Sequence, residues 1–360
     1  MSTARGRGLD LGWDTFGEAI LKSRKIKYSS LGAYLSSLRS IQSKLAPDAE
    51  PRIIDAKFLN DHKAVLRAIA DSPITTRKNR LTAILVALRV SKPVNEKLCD
   101  VYSKHLTALN SEYMDFLKQQ KKTPAQKANW IDYDELLGVS NKLLDDVKEL
   151  NLDAMKGRSL PRKAYNTLQE YVALRTYLTF PLRNDFADMP VLSSKAFAAL
   201  PKAAKASTNY LVLYPKGRKR FHISNFKNVD RIGPKVLDVP PKLSKILNAW
   251  LHFNTSDYFL TKTNGSDPLD PNGITRIFNR IFKRETGKLI STSMMRHIII
   301  SHALRHQPTL EEVEAKRREI ENRFFHSPGI NQLYRKVDSA QPGLPSNATD
   351  SVGRPDNLSV

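Results

Sequence analysis

The sequence predicts a mainly α protein carrying a small antiparallel β-sheet, an α+β fold in two domains. Three observations predict it. Apolar residues recur at spacings of three and four through residues 26–118, again through 130–181, and once more from 243 onward, the period of helices with one buried face. Between Asn209 and Val239 the period drops to two, as in half-buried strands. At 360 residues the chain has the length of about two domains, each able to bury its own core.

The elements follow in order. Residues 1–25 read as an N-terminal extension. Leu31, Tyr34, Leu35, Leu38, Ile41 and Leu45 make one helical face, with Ser29 or Ser30 as its cap and Pro47 beyond its end. Val65, Leu66 and Ile69 predict a second helix. Leu81, Ile84, Leu85 and Leu88 predict a third, closed by Pro93. Leu98, Val101, Tyr102, Leu106, Leu109, Tyr113 and Phe116 predict a fourth. Residues 26–118 are thus a helical bundle. Residues 119–129 are polar, basic and broken by Pro124, the composition of a linker. A second domain spans 130–337. It opens on a helix that Asp132 can cap, and continues with a stripe of Leu168, Tyr171, Val172, Arg175 and Leu178 ending at Pro181. Three antiparallel strands follow, at Tyr210–Tyr214, Phe221–Phe226 and Lys235–Val239, joined by turns at 215–218 and 228–234. Helices resume through Trp250, Ile274–Phe282, Met294–Leu304 and Leu310–Arg323. Residues 338–360, rich in Pro, Ser, Asn, Asp and Gly, read as a disordered tail.

Composition narrows the function. There are 58 Lys and Arg against 36 Asp and Glu, a net charge of +22. Such an excess favours a polyanion, and nucleic acid is the usual one because displaced counterions drive binding to phosphate. Between Pro201 and Lys235 nine basic residues stand against one acidic residue, as expected of a segment that tracks phosphates. No apolar run reaches the roughly 18–20 residues of a membrane span. The single cysteine, Cys99, excludes an internal disulfide and a cysteine-based zinc site, so an intracellular setting where DNA is found is expected. No phosphate-binding loop of the G-x-x-x-x-G-K-[ST] kind occurs, which argues against ATP-driven chemistry. His297, His302 and His306 share spacings of five and four but lack a further ligand, so no metal site is expected.

Four segments carry the chemistry. They are Thr179-Phe180-Pro181-Leu182-Arg183-Asn184-Asp185; Lys227 beside a turn; Ser291-Thr292-Ser293-Met294-Met295-Arg296-His297; and Phe325-His326-Ser327-Pro328-Gly329-Ile330-Asn331-Gln332-Leu333-Tyr334-Arg335. In this order, with a three-stranded unit between the arginines, they resemble the tyrosine recombinase/integrase family and its phage integrase-like catalytic domain. The fit is closest to divergent members from eukaryotic viruses and mobile elements. The resemblance matches Arg183 and Arg296 to the family's two arginines, Lys227 to its hairpin lysine, His326 to its late histidine and Tyr334 to its nucleophile. It implies that the bundle is a DNA-clamping core-binding domain, and that 130–337 is the catalytic domain. It further implies site-specific cutting and rejoining of double-stranded DNA through a covalent 3′-phosphotyrosyl link, with no cofactor and no metal. The enzyme is expected to be a monomer in solution and a tetramer on synapsed sites.

The residue types suit that chemistry. Two guanidiniums can hold the non-bridging oxygens of a phosphodiester in bidentate fashion, a lysine can protonate the departing oxygen, and a tyrosine can form the covalent intermediate. Lys216 and Lys219 are the alternatives to Lys227 as general acid. Three positions depart from the family pattern. Ser293 stands where a histidine is usual. Phe186 occupies the usual acidic position, for which Asp185 is the candidate substitute. The spacing from His326 to Tyr334 is one residue shorter than in most bacterial members. His297 reads as structural support. Lys118, Lys121, Lys122, Lys127, Lys216, Arg218, Lys219 and Arg220 are the expected DNA-contacting residues. Two other functions fit the same residues: a DNA-binding or packaging protein that keeps the fold without activity, and a type IB topoisomerase acting as a monomer.

Overall fold

The computed structural model describes residues 15–24, 26, 28–50, 52–53, 55–155, 157–305, 318–320, 322–323 and 336, apart from 119–120. The chain falls into two units, Met1–Gln119 and Gln120–Val360.

The first unit is helical: α1 (Thr15–Ser23), α2 (Tyr28–Leu45), α3 (His62–Ala70), α4 (Ile74–Val90) and α5 (Glu96–Lys118). Its centre is α4, where Leu81 and every residue from Ala83 to Leu88 are buried. A helix apolar on all sides must be surrounded, and α1, α2, α3 and α5 all pack on it. Two sequence expectations change here. Part of the extension at 1–25 is helix α1, because Phe16 and Ile20 sit four apart and both enter this core. Helix α2 starts at Tyr28, so Ser29 and Ser30 lie inside it rather than capping it.

The second unit begins with α6 (Pro124–Asn129), α7 (Tyr133–Glu149) and α8 (Arg162–Thr179). Helix α6 occupies the expected linker. Thr123 and Gln126 form a reciprocal capping box with Pro124 at the first turn, a combination that starts a helix even in polar sequence. Next come β1 (Val191–Ser193), α9 (Ser194–Ala199), α10 (Lys202–Ser207), β2 (Tyr210–Leu213), β3 (Lys219–Ile223), α11 (Val229–Ile232) and β4 (Lys235–Asp238). Helices α12 (Pro241–Phe253), α13 (Pro271–Thr286) and α14 (Thr292–Ala303) complete the described elements.

The sheet has four strands in the order β1-β2-β3-β4. Strands β2, β3 and β4 are antiparallel, and β1 adds parallel to β2 with Val191 opposite Leu211. The added strand is only three residues long, too short to show a period in the sequence. Strand β3 stops at Ile223, three residues before the expected end, because the next two backbone N–H groups bond elsewhere, as described below. The turn at 215–218 holds Lys216 and Gly217 at φ 60° and 74°, and the expected turn at 228–234 contains the short helix α11.

An aromatic chain joins the helices to the sheet. Tyr177 of α8 meets Phe186 and Phe278 edge-on at 5.3 and 4.8 Å between ring centroids, Phe186 meets Phe221 of β3 at 5.0 Å, and Phe221 meets Phe259 at 5.5 Å. Each such pair adds about 0.5–1.5 kcal/mol beyond burial. A second tie is ionic. The buried carboxylate of Glu170 on α8 accepts from Arg280 and Arg284 of α13 at 2.7 and 3.0 Å, and buried Glu285 meets Lys142 of α7.

Phe278 is fully buried where α13 meets this aromatic chain. Phe278→Ala should cost about 3–5 kcal/mol by lost transfer energy and cavity formation, read as a lower urea midpoint. A loss below about 1 kcal/mol would show that the aromatic chain does not hold the unit together.

Candidate functional site

The loop after α8 is built to hold Arg183 still. Pro181 prevents the helix from continuing and biases Phe180 away from helical angles; the helix accordingly ends with Phe180 at φ −133°, ψ 85°. The backbone of the following residues is then held at several points. The Tyr177 hydroxyl donates to the carbonyl of Arg183. The N–H of Arg183 donates to Asp185 Oδ2 at 3.2 Å. The carbonyl of Asp185 accepts from Asn209 Nδ2 at 2.9 Å. Phe186 is fully buried, so the loop is anchored in the aromatic core one residue beyond Asp185.

Both arginines act on the charge of Asp185. Burial pushes the Asp185 carboxyl up to about 6, against the opposing pull of Arg183, Arg296 and the Arg183 N–H. The hydroxyl of Tyr177 is pushed well above its ordinary value by burial and then by Asp185, while Arg296 acts the other way. Tyr177 is therefore a neutral donor. Arg183, Asp185, Tyr177 and Arg296 share one neighbourhood although 113 residues separate the two arginines in sequence. Arg296 is 5% exposed and lies in the first turns of α14, whose start is fixed by Ser291 accepting from the N–H of Met294.

The other sequence candidates divide. Lys227 is exposed in the turn between β3 and α11. That turn lies at the end of the sheet where the Arg183 loop enters, because residue 209 stands beside the exit of β3. Lys216 is also exposed but occupies the opposite end of the β2–β3 hairpin, a strand length or about 15 Å away. Lys219 differs from expectation both as a DNA contact and as a general acid. It is 5% exposed, and its ammonium donates to Gly217 O at 3.1 Å, Ser244 Oγ at 3.0 Å and Asn248 Oδ1. All three donors are used inside the domain, and burial lowers its pKa. The cause is the strand's period: Lys219, Phe221 and Ile223 share the inward face.

Among the remaining residues, Arg220 pairs across strands with Asp238 at 2.6 Å, and Arg218, Lys121 and Lys127 are exposed. Lys122 lies over the Trp130 ring at 4.3 Å. Ser293 is exposed and His297 half-buried. The side chain of Lys118, His306, and the candidates His326 and Tyr334 lie outside the described residues, as does the stretch 337–360. The chain on either side of the last two candidates is tied down. Arg323 donates to the carbonyl of Thr179 at 2.8 Å, at the end of α8, and the N–H of Lys336 donates to Ser301 Oγ at 2.7 Å, on the helix that carries Arg296. Asn209 and Tyr177 were not singled out in the sequence. Tyr177 belongs to the helical stripe of α8, and Asn209 looked like an ordinary residue ahead of a strand.

Among the described residues no group of three or more His, Cys, Asp and Glu side chains gathers as a metal site would, and no helix is long and apolar enough to cross a membrane.

No family model and no curated protein matches the chain. Among solved structures it is similar to the crystal structure of XerA recombinase, at 12% identity over 90% of this chain and 94% of that one, with a TM-score of 0.36. A likeness that distant carries no argument about function, which rests on the residues of the site.

The raised Asp185 carboxyl has a consequence for stability. Its folded value, about 6, lies above the roughly 3.9 of an unfolded aspartate. The protonated form is favoured by the fold, so this contribution is complete below about pH 4 and is lost as pH rises through 6. Asp185→Asn should therefore stabilise the protein at pH 8 by about 1–3 kcal/mol, with the gain closing toward pH 4. Melting curves at pH 4, 6 and 8 check this, and a pH-independent difference would contradict it.

Proposed function

We propose that the protein is a DNA strand transferase of the tyrosine recombinase type, cutting and rejoining double-stranded DNA at specific sites. The observation that carries this reading is that Arg183 and Arg296 both act on the Asp185 carboxyl, while the Arg183 loop meets the sheet at the same end as Lys227. Two guanidiniums held in a fixed frame suit a phosphodiester, whose developing charge lies on the non-bridging oxygens.

In the proposed reaction the Tyr334 oxygen attacks the scissile phosphorus in line. The phosphorus–oxygen bond to tyrosine forms, and the bond to the 5′ oxygen breaks with its electron pair leaving on that oxygen. Lys227 gives this oxygen a proton, and the phenol proton passes to water. Arg183 and Arg296 neutralise the non-bridging oxygens, aided by a hydrogen bond from His326. The anchoring of Arg323 beside the Arg183 loop and of Lys336 on α14 supports a nucleophile supplied by the same chain that supplies the arginines. The 3′-phosphotyrosyl link keeps the bond energy for rejoining. Exposed Lys121, Lys127, Lys216 and Arg218 supply affinity for the backbone without reading sequence. Synapsis of paired sites calls for four protomers.

One observation favours a second reading. Ser293, at the position where the family usually carries histidine, has no basic side chain and is exposed, which suits a DNA-binding protein without strand transfer.

The test is incubation with nicked duplexes carrying candidate recombination sites, read as an SDS-resistant protein–DNA adduct. Wild type should form it, and Tyr334→Phe should bind DNA but form none. Absence of the adduct with wild type on every site, despite binding, would favour the second reading. Lys227→Ala should slow cleavage by about 100-fold or more, and a substrate with sulfur at the 5′ bridging position should recover the loss, because a thiolate leaves without a proton. Rescue of Lys219→Ala instead would reassign the general acid.

A further inference from the structure

We infer that Asn209 is a positioning residue of this site, a clasp that sets the lysine turn against the arginine loop. The inference rests on the reading proposed above and adds a residue to it.

The carboxamide of Asn209 bonds on both sides. Its Nδ2 donates to the carbonyls of Asp185 at 2.9 Å and Asn225 at 3.0 Å. Its Oδ1 accepts from the N–H groups of Ser224 at 2.9 Å and Asn225 at 2.7 Å. Two donors and two lone pairs are the whole capacity of the group, and all four are used by a residue 8% exposed. One partner follows Arg183 by two residues, and another precedes Lys227 by two. Neither segment bonds to the other through a sheet ladder: β3 has ended at Ile223, and Arg183 lies eight residues before β1.

The chemistry of the side chain fits this position closely. Aspartate would accept from Ser224 and Asn225 but could not donate to either carbonyl. Serine has one donor and too little reach, and glutamine adds a methylene in a buried place. The bonds that Asn209 makes to Ser224 and Asn225 also replace the ladder bonds that would have continued β3. The same side chain therefore ends the strand, starts the lysine turn and fixes it to Asp185. Because a displacement of about 1 Å can cost roughly 100-fold in rate, loosening this clasp should be felt first at the proton transfer from Lys227.

The experiment compares cleavage of two nicked duplexes, one with the ordinary 5′ oxygen and one with sulfur at that bridging position, by wild type, Asn209→Ala and Asn209→Asp. DNA binding and melting temperature are measured on each. Both variants should lose about 10- to 100-fold with oxygen and recover most of it with sulfur, with DNA affinity unchanged. Asn209→Asp keeps the two accepting bonds and carries the test if Asn209→Ala does not fold. Equal losses on both substrates, or no loss on either, while wild type cleaves, would overturn the positioning role and leave the strand-transferase reading intact. Failure of wild type to cleave either duplex at a site it binds would overturn that reading, and this inference with it.

Discussion

The site turns on one half-buried carboxyl group, that of Asp185, which feels two guanidiniums. Burial alone would drive Asp185 far toward its neutral form. Arg183 and Arg296 restrain that shift and leave it at about 6. The same attraction works in return on the two arginines. The backbone around Asp185 is fixed by the bonds from the Arg183 N–H to its carboxylate and from Asn209 to its carbonyl.

Most of the surrounding structure serves that fixation. Tyr177 is fully buried, and its neutral hydroxyl reaches the Arg183 carbonyl from within the aromatic core. Phe186 fastens the far side of the loop, and Asn209 joins it to the exit of β3. The lysines divide by role for the same reason. Lys219 spends its charge holding the hairpin turn to α12 through Ser244 and Asn248, whereas Lys227, held by backbone bonds two residues away, keeps its ammonium exposed. In the proposed strand transfer, preorganisation of this kind would let charges meet the transition state without reorganising.

Much of this was legible in the sequence. The helical periods gave the bundle and the second unit's long helices, and the change to period two marked β2, β3 and β4. What escaped notice has physical causes. Strand β1 is three residues long and carries no period. Helix α1 has only two core positions, Phe16 and Ile20, inside a segment otherwise dominated by charge and glycine. Helix α6 is set by a capping box rather than by apolar spacing. The burial of Lys219 was available from its alternation with Phe221 and Ile223, but a lysine in a basic run is easily taken for surface. The role of Asn209 was not available at all, since its partners at 185 and 224–225 lie 24 and 15 residues away and meet it only through the fold.

In the proposed strand transfer, Arg183 and Arg296 act by neutralising the two non-bridging oxygens of the scissile phosphate. The most direct measurement is cleavage of a duplex whose scissile phosphate is replaced by a methylphosphonate, which has one non-bridging oxygen fewer and no net charge. On an ordinary phosphodiester, Arg183→Ala should lose about 100- to 1,000-fold relative to wild type. On the methylphosphonate the account predicts that this deficit shrinks by at least about tenfold, equivalent to roughly 1.4 kcal/mol. An equal deficit on both substrates, in a variant that still folds and binds DNA, would contradict the account.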